Sequence, residues 1–258
     1  MCEPLLRFVA VTDAVLGLPE LDEEIPRRVL AIVAHPDDVD FGSAGTIAAW
    51  TSKGAEVSYC IVTDGAAGSV DPDVDVRRLA NLRQAEQRAA AAAVGVTDVT
   101  FLAYPDGRLE PTQELRRDLS REIRRVRPDR VICQSPERNY ERIRASHPDH
   151  LAAGEAALRA VYPDARNPYA HAELLEREGL EPFEVPEVWI MAAPTTNRLV
   201  DVTDHIDAKI AALLCHTTQI ADPGGLAEMI RSWAKANAER HGLANGRLAE
   251  AYRVVDTR

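Results

Sequence analysis

The stretch RVLAIVAHPDDVDFGSAGT, residues 28–46, decides the fold and places polar chemistry beside it. Residues 28–34 form a short run of β-branched and apolar side chains, which predicts a buried strand. The segment GTIAAWTSKG, residues 45–54, has the period of a helix, and EVSYCIVT, residues 56–63, predicts a second strand. Together these segments predict a strand–helix–strand unit.

The alternation of strands and helices continues along the chain. Further strands are predicted at 98–104, 129–134, 185–193 and 199–203, and further helices at 76–94, 111–127, after Pro148, near Asp204 and near Gly224. This order favours an α/β fold with a Rossmann-like, mostly parallel sheet flanked by helices. We assign residues 1–27 to an N-terminal extension that ends in a solvated acidic linker, PELDEEIP, and residues 28–258 to a single domain.

The composition indicates which partners to expect. Hydrophobic residues make up 46% of the chain and charged residues 28%, which argues against a disordered or fibrous protein. The formal charge of -11 argues against nucleic acid or an anionic membrane as the partner. The four cysteines are widely spaced, and neither a secretion signal nor an apolar run of about 20 residues is evident. We therefore expect a cytoplasmic protein that binds a small molecule.

Polar side chains stand at the exits of two predicted strands. His35, Asp37 and Asp38 follow the first strand, and the motif HPDH, residues 147–150, comes after the strand at 129–134. In an open parallel sheet, ligands bind outside the carboxyl ends of the strands, where such loops converge. We therefore expect a metal site at this edge of the sheet.

The spacing of these residues suits a catalytic metal ion. His35 and Asp38 are three residues apart, with Pro36 stiffening the turn between them. Pro148 is favoured at the first position of a helix, so His147 is expected to cap that helix and His150 to lie one turn in. The two histidines then project differently, so that one can bind metal while the other faces the substrate.

Three ligands of the types His, Asp and His leave a fourth position for water, as in catalytic zinc sites. Zinc lowers the pKa of such a water from about 15.7 to about 7 and polarises carbonyl groups, which makes amide hydrolysis accessible. In this scheme Asp37 is the general base. His147 donates to the oxyanion or to the leaving amine.

The motifs AHPDD and HPDH, about 110 residues apart, resemble those of the PIG-L/LmbE family of metal-dependent N-deacetylases. The resemblance spans roughly residues 28–220 and implies that His35, Asp38 and His150 bind zinc. It also implies that Asp37 is the general base and that His147 is an acid or oxyanion stabiliser.

Three shorter motifs add to the resemblance: TDGAAG at 63–68, RQAE at 83–86 and PDG at 105–107. The resemblance implies that Arg83 and Asp106 hold sugar hydroxyls. A simpler alternative for Arg83 is that it pairs with an acidic or amide neighbour on a solvated helix face.

Late in the chain, Lys209, His216 and Gln219 resemble a K…H-x-x-Q pattern of the family, to which we assign no catalytic role. Asp149 has two interpretations, capping its helix or orienting a histidine from behind the metal ligands.

Two positions depart from the family pattern. Many relatives read AHPDDE, whereas this chain has Val39 followed by Asp40. Relatives from thiol pathways have a tyrosine two residues before HPDH, where this chain has Ala145, and Tyr140 is a possible replacement.

The resemblance predicts a zinc-dependent hydrolase that removes an N-acetyl group from an amino sugar or a GlcNAc-containing conjugate and releases acetate. Two alternatives remain: an amidase acting on a thiol conjugate or a glycosylated secondary metabolite, and a non-catalytic sugar- or metal-binding module. Fe²⁺ suits the same ligands as Zn²⁺. Relatives form dimers and hexamers, so a homo-oligomer is a further expectation.

Overall fold

The computed structural model describes residues 19–258, which form eight strands and seven α-helices. The strands are β1 Glu20–Leu21, β2 Arg28–Val33, β3 Glu56–Thr63, β4 Asp98–Tyr104, β5 Arg130–Gln134, β6 Glu187–Met191, β7 Arg198–Asp201 and β8 Ala249–Asp256. The helices are α1 Asp38–Thr51, α2 Val76–Ala93, α3 Gln113–Val126, α4 Pro148–Arg159, α5 Ala172–Glu176, α6 Ile206–Leu214 and α7 Pro223–Arg240. Within residues 19–258, none of these helices has the length and apolar character that a membrane crossing requires.

All eight strands lie in one sheet, in the order β1-β7-β8-β6-β5-β2-β3-β4. Neighbouring strands run parallel except where β8 pairs with β6 and with β7. The predicted mostly parallel sheet flanked by helices is therefore confirmed. The chain builds β2, β3 and β4 outward in one direction and then returns to place β5 on the other side of β2, so that a crevice opens between β2 and β5 at their carboxyl ends.

Strand β2 is buried on both faces, which explains why its sequence is continuously apolar rather than alternating. Val29, Ala31 and Val33 belong to one hydrophobic cluster, whereas Leu30 and Ile32 belong to another on the opposite face of the sheet. The first cluster includes residues of α1, α6 and α7, and the second includes residues of α3 and α4. Helices therefore cover both faces around the strand that leads to the site.

Helix α1 starts at Asp38, seven residues before the predicted start at Gly45. Gly42 and Gly45 lowered the apparent helical signal, but they fit because the helix lies very close to its neighbours. A Cβ atom at Gly42 would lie 2.3 Å from Sδ of Met191, and one at Gly45 would lie 2.9 Å from Val202. Tertiary packing therefore overrides helix propensity here.

The acidic segment at 19–26 is more than the predicted linker, because Glu20–Leu21 pairs with β7 at the edge of the sheet. Asp22 accepts a 2.9 Å hydrogen bond from the buried guanidinium of Arg130. That guanidinium also lies over the rings of Trp50 and Trp189, 5.1 and 4.4 Å from their centroids. The remainder of the predicted extension, residues 1–18, lies outside the described residues.

Helix α4 lies against the end of β5 because Gly154 allows a close approach. A Cβ atom at Gly154 would be 2.3 Å from the backbone oxygen of Gln134, and backbone cannot turn aside as a flexible side chain can. We expect Gly154→Ala to push α4 off the sheet and to destabilise the protein by about 1–3 kcal/mol, because overpacking outweighs the gain in helix propensity.

The matched control is Gly224→Ala in the first turn of α7, where the nearest atom to the new Cβ would be 3.4 Å away. Urea denaturation measures both variants. Equal free energies of unfolding for Gly154→Ala and the parent would show that the approach of α4 to β5 is not a tight constraint.

Candidate active site

The turn between β2 and α1 carries the first motif in a strained conformation. Asp37 has φ 94° and ψ -29°, in the left-handed region, which costs a non-glycine residue about 1–2 kcal/mol. Its N–H donates to Oε1 of Gln87 at 2.7 Å, and its carbonyl accepts from the N–H groups of Asp40 and Phe41 at 2.9 and 3.0 Å. These bonds fix the backbone of Asp37, while its side chain caps no helix N–H group.

Three predicted ligand atoms converge beside this turn. Nδ1 of His35 lies 3.2 Å from Oδ2 of Asp38, and Nε2 of His150 lies 3.0 Å from Oδ1 of Asp38 and 3.2 Å from Nδ1 of His35. Ligands about 2.0–2.1 Å from a tetrahedral ion would be about 3.3 Å apart. The two nitrogens and the carboxylate, which faces His35 through one oxygen and His150 through the other, therefore lie at separations that suit ligands of one zinc ion.

The far side of His35 faces carboxylates. Its Nε2 lies 3.2 Å from Oδ1 of Asp106 and 3.3 Å from Oδ2 of Asp149, so that these three residues form a second group of potential ligand atoms. With a metal ion bound at Nδ1, the proton of the neutral ring would be on Nε2, because the carboxylates on that side can only accept. The ring of His150 is oriented in the same manner, since its Nδ1 faces the carbonyl of Ala145 at 3.3 Å.

Backbone N–H groups hold the carboxylate of Asp149. It accepts from Gly107 at 2.7 Å and from Leu109 at 3.1 Å, and it is buried. It caps no group in its own helix among these contacts, so the geometry favours the second interpretation of Asp149, the orientation of His35. The loop after β4 and helix α4 are thereby joined behind the imidazole.

The charges at the site favour a cation. Burial lowers the pKa of His35, but Asp38, Asp106 and Asp149 more than offset this effect and raise it to about 12. Burial raises the pKa of Asp38, but the nearby His150 and His35 hold it well below the usual range of a carboxyl group. A buried group of carboxylates needs compensating positive charge, which a divalent ion supplies. The donor set and its charge therefore fit a metal ion.

Burial and the adjacent charge of Asp38 raise the pKa of Asp37 to about 7, although Arg83 acts in the opposite direction. The guanidinium of Arg83 lies 3.2 Å from Oδ2 of Asp37. The side chain of Asp37 is 15% exposed and therefore open to solvent on one side.

His147 lies next to the other two histidines but is bound differently. Its Nδ1 accepts the N–H of Asp149 at 3.2 Å, which makes it the predicted cap of α4, and its ring is exposed. His35, His147 and His150 also offer nitrogens within 4.8 Å of one another. We favour Asp38 over His147 as the third ligand because the Nδ1 lone pair of His147 is already occupied by the cap.

Arg83 is buried rather than placed on a solvated helix face, so the simpler alternative for it is wrong. It donates to the carbonyls of Pro36 at 2.7 Å and Gly65 at 2.8 Å, in addition to its contact with Asp37. Asp106 accepts from the N–H of Ala67 at 3.0 Å as well as facing His35. Both predicted sugar-binding residues thus lie in the site, and their described contacts are with the protein itself.

Lys209, His216 and Gln219, the residues of the K…H-x-x-Q pattern, bind other protein groups next to the site. Lys209 pairs with Glu250 at 2.5 Å, and Gln219 donates to the carbonyl of Gly68 at 3.2 Å. His216 lies 2.8 Å from the buried carboxylate of Asp40.

Sequence analysis gave no site role to Asp40 or to Gln87, although both contact the turn around Asp37. The only signal for Asp40 was its place in the first motif. Gln87 lies one helical turn after Arg83, on the same face of α2.

Comparisons with known proteins identify a matching family and similar proteins. Residues 30–161 match the PIG-L family, described as GlcNAc-PI de-N-acetylase. The chain is 32% identical to the diacetylchitobiose deacetylase of Thermococcus kodakarensis over 230 residues, which cover 89% of this chain and 83% of that protein. It is also 32% identical over 244 residues to the 1D-myo-inositol 2-acetamido-2-deoxy-alpha-D-glucopyranoside deacetylase of Rhodococcus erythropolis, with 75% of this chain and 81% of that protein covered.

Among solved structures, the N,N'-diacetylchitobiose deacetylase of Pyrococcus horikoshii, complexed with its inhibitor MPG, is similar to this chain. The TM-score is 0.81 at 31% identity, and the match covers 90% of this chain and 85% of that one. Sequence and fold thus lead to the same conclusion: the chain belongs to the PIG-L family of deacetylases.

Proposed function

We propose that this protein is a zinc-dependent hydrolase that removes the N-acetyl group of an amino sugar or a GlcNAc-containing conjugate and releases acetate. The convergence of His35 Nδ1, the Asp38 carboxylate and His150 Nε2 within 3.0–3.2 Å of one another carries the proposal. Asp37 and His147 stand next to this triangle with groups suited to proton transfer and to hydrogen-bond donation.

His35, Asp38 and His150 would hold a zinc ion, which would supply a Lewis acid for the amide carbonyl and would lower the pKa of water. Fe²⁺ is a second candidate in the cell, because two imidazoles and a carboxylate suit both ions.

Asp37 acts as the general base. Its pKa near 7 matches the proton affinity that proton transfer at neutral pH requires, and Arg83 holds one carboxylate oxygen in place. Asp37 takes the proton from the attacking water as the new C–O bond forms. It then returns that proton to the nitrogen as the C–N bond breaks, so that acetic acid and an amine are released. At neutral pH the acid loses its proton to become acetate, and the amine takes up a proton.

His147 acts as a hydrogen-bond donor in its neutral form. Because its Nδ1 accepts from the N–H of Asp149, the proton of the neutral ring is on Nε2. Burial and the neighbouring His35 and His150 lower the pKa of His147, which favours this neutral form. An Nε2–H group of this kind can donate to the negatively charged oxygen that develops during attack.

The relatives support an N-acetylglucosamine-type substrate. The names of two of them specify diacetylchitobiose and a 2-acetamido-2-deoxy-glucopyranoside of inositol. A panel of N-acetylglucosamine, N,N'-diacetylchitobiose and N-acetylglucosaminyl-inositol covers these classes, and N-acyl thiol conjugates cover the alternative amidase function.

The base is tested with Asp37→Asn. We expect acetate release by the zinc-loaded variant to fall by about 10²–10⁴-fold on whichever member of the panel the parent hydrolyses, because the variant cannot accept a proton. Acetate is measured by an enzyme-coupled assay. Asp73→Asn, an exposed aspartate in the loop after β3, is the matched control and should retain the activity of the parent. Full activity of Asp37→Asn would exclude it as the base, and inactivity of the zinc-loaded parent on the whole panel would favour a binding module.

The assignment of His150 as a metal ligand and of His147 as a hydrogen-bond donor is tested with His150→Gln and His147→Gln. After EDTA treatment and reloading with zinc, we expect the parent and His147→Gln to retain about one zinc per chain, and His150→Gln to retain much less. His147→Gln should nevertheless lose about 10²–10³-fold in turnover, as expected for the loss of one oxyanion donor. Elemental analysis and acetate release provide the two readouts. Loss of zinc from His147→Gln with retention by His150→Gln would reverse the assignment.

A further inference from the structure

A hydrogen-bonded network of buried polar side chains contacts the turn that presents Asp37. Gln87 on α2 accepts the N–H of Asp37 through Oε1 at 2.7 Å and donates through Nε2 to Oδ2 of Asp40 at 2.8 Å. His216, in the segment after α6, lies 2.8 Å from the same oxygen of Asp40 through Nε2. The three residues of this network, Gln87, Asp40 and His216, are 0% exposed.

The direction of each hydrogen bond in this network follows from which groups can donate and which can only accept. A backbone N–H can only donate, so the amide oxygen of Gln87 faces Asp37. A carboxylate can only accept, so the amide nitrogen of Gln87 and Nε2 of His216 both donate to Asp40. The amide of Gln87 therefore has one orientation, and Asp40 maintains it.

Among residues 19–258, Gln87 and His216 are the only hydrogen-bond partners of the Asp40 carboxylate. Across residues 19–258, Oδ1 of Asp40 and Nδ1 of His216 form no hydrogen bond, so both bonds to the carboxylate are made at Oδ2. A buried polar network is sensitive to loss of any one member, because each remaining partner is left unsatisfied in a low-dielectric interior.

Asp37 depends on this support more than an ordinary helix-capping residue does. Its left-handed backbone is a conformation that non-glycine residues avoid, and it persists only where surrounding contacts impose it. Arg83 and Gln87, one turn apart on α2, bind the carbonyl and the N–H of the same peptide group, between Pro36 and Asp37, and so fix its plane. The N–H groups of Asp40 and Phe41 hold the Asp37 carbonyl on the other side of the φ torsion. Gln87 is thus the direct constraint on the backbone that aims the carboxylate.

We propose that Gln87, Asp40 and His216 are positioning residues for the general base, and that they act by holding the backbone of Asp37 in its left-handed conformation. This inference rests on the proposed function, because it assigns these residues to the same hydrolytic site. It gives the C-terminal segment around His216 a role in turnover without contact with the substrate.

The first test is Gln87→Met, which keeps the side-chain volume and removes both hydrogen bonds. We expect kcat to fall by about 10–100-fold with KM changed by less than about threefold, because misplacing a reacting group slows the chemical step more than it weakens binding. Gln84→Met, the same substitution on the same helix at a position with no hydrogen bond to the turn, is the control and should match the parent.

A double-mutant cycle separates positioning from general damage. If Gln87 acts through Asp37, Gln87→Met should lower the residual activity of Asp37→Asn by less than about twofold, although it lowers the parent's activity by about 10–100-fold. Equal losses in both backgrounds would overturn the proposal. A fall in zinc affinity, measured by chelator competition and matching the fall in kcat, would also overturn it, because Gln87 would then support the metal ligands instead.

The end of the network farthest from Asp37 is tested with His216→Gln and His216→Leu. These variants keep the proposal testable if Gln87→Met does not fold. An amide N–H can donate to Asp40 as the imidazole does, so His216→Gln should retain kcat within about threefold while His216→Leu loses about tenfold or more. Equal kcat values for folded His216→Leu and parent would contradict the role of His216. Parent activity on the substrate panel is measured first, so failure of the proposed function is distinguished from failure of this inference.

Discussion

The imidazole of His35 is the point on which the rest of the site depends. One of its nitrogens faces Asp38 and His150, and the other faces Asp106 and Asp149. These partners come from α1, from the loop after β4 and from α4. With a metal ion on one side, the neutral ring would have one acceptor and one donor nitrogen, so the two sides of the site would not exchange roles. The carboxylates behind the ring therefore fix which lone pair is available in front of it.

The sequence predicted the parts of the fold that are locally regular. Strands β3 and β4 have the predicted bounds, and the parallel pairing of β2 with β3 and with β5 follows from strands joined by helices. Strand β8 was missed because its buried Glu250 disrupts the apolar pattern, and an ion pair with Lys209, together with hydrogen bonds from α1, compensates for that burial. Such a pair joins residues that are 41 positions apart, and no local pattern reveals it.

The candidate metal ligands were predictable because they lie within two short motifs. The buried residues that surround and position them were not. Arg83, Glu86 and Gln87 form a buried polar stripe on α2, although a helix rich in alanine, arginine and glutamine favours a solvated polar face. Val39, which departs from the family pattern, is buried in the hydrophobic cluster that includes other residues of α1. At Ala145 it is the backbone carbonyl that contacts His150, a contact that does not depend on the side chain at that position.

The family match ends at residue 161, yet the first turns of α1 depend on residues beyond it. Glu250 accepts the N–H groups of Gly45 and Thr46, and Lys209 donates to the carbonyl of Phe41 at 2.6 Å. These contacts hold α1 at Phe41, Gly45 and Thr46, and Gln87 of α2 holds it at Asp40. The motifs that carry the chemistry therefore do not keep their geometry alone, because the helix that presents Asp38 is positioned by polar groups of both halves of the chain. The C-terminal half thus belongs to the site in the physical sense, even though the predicted metal ligands and the proposed base all lie in the first 150 residues.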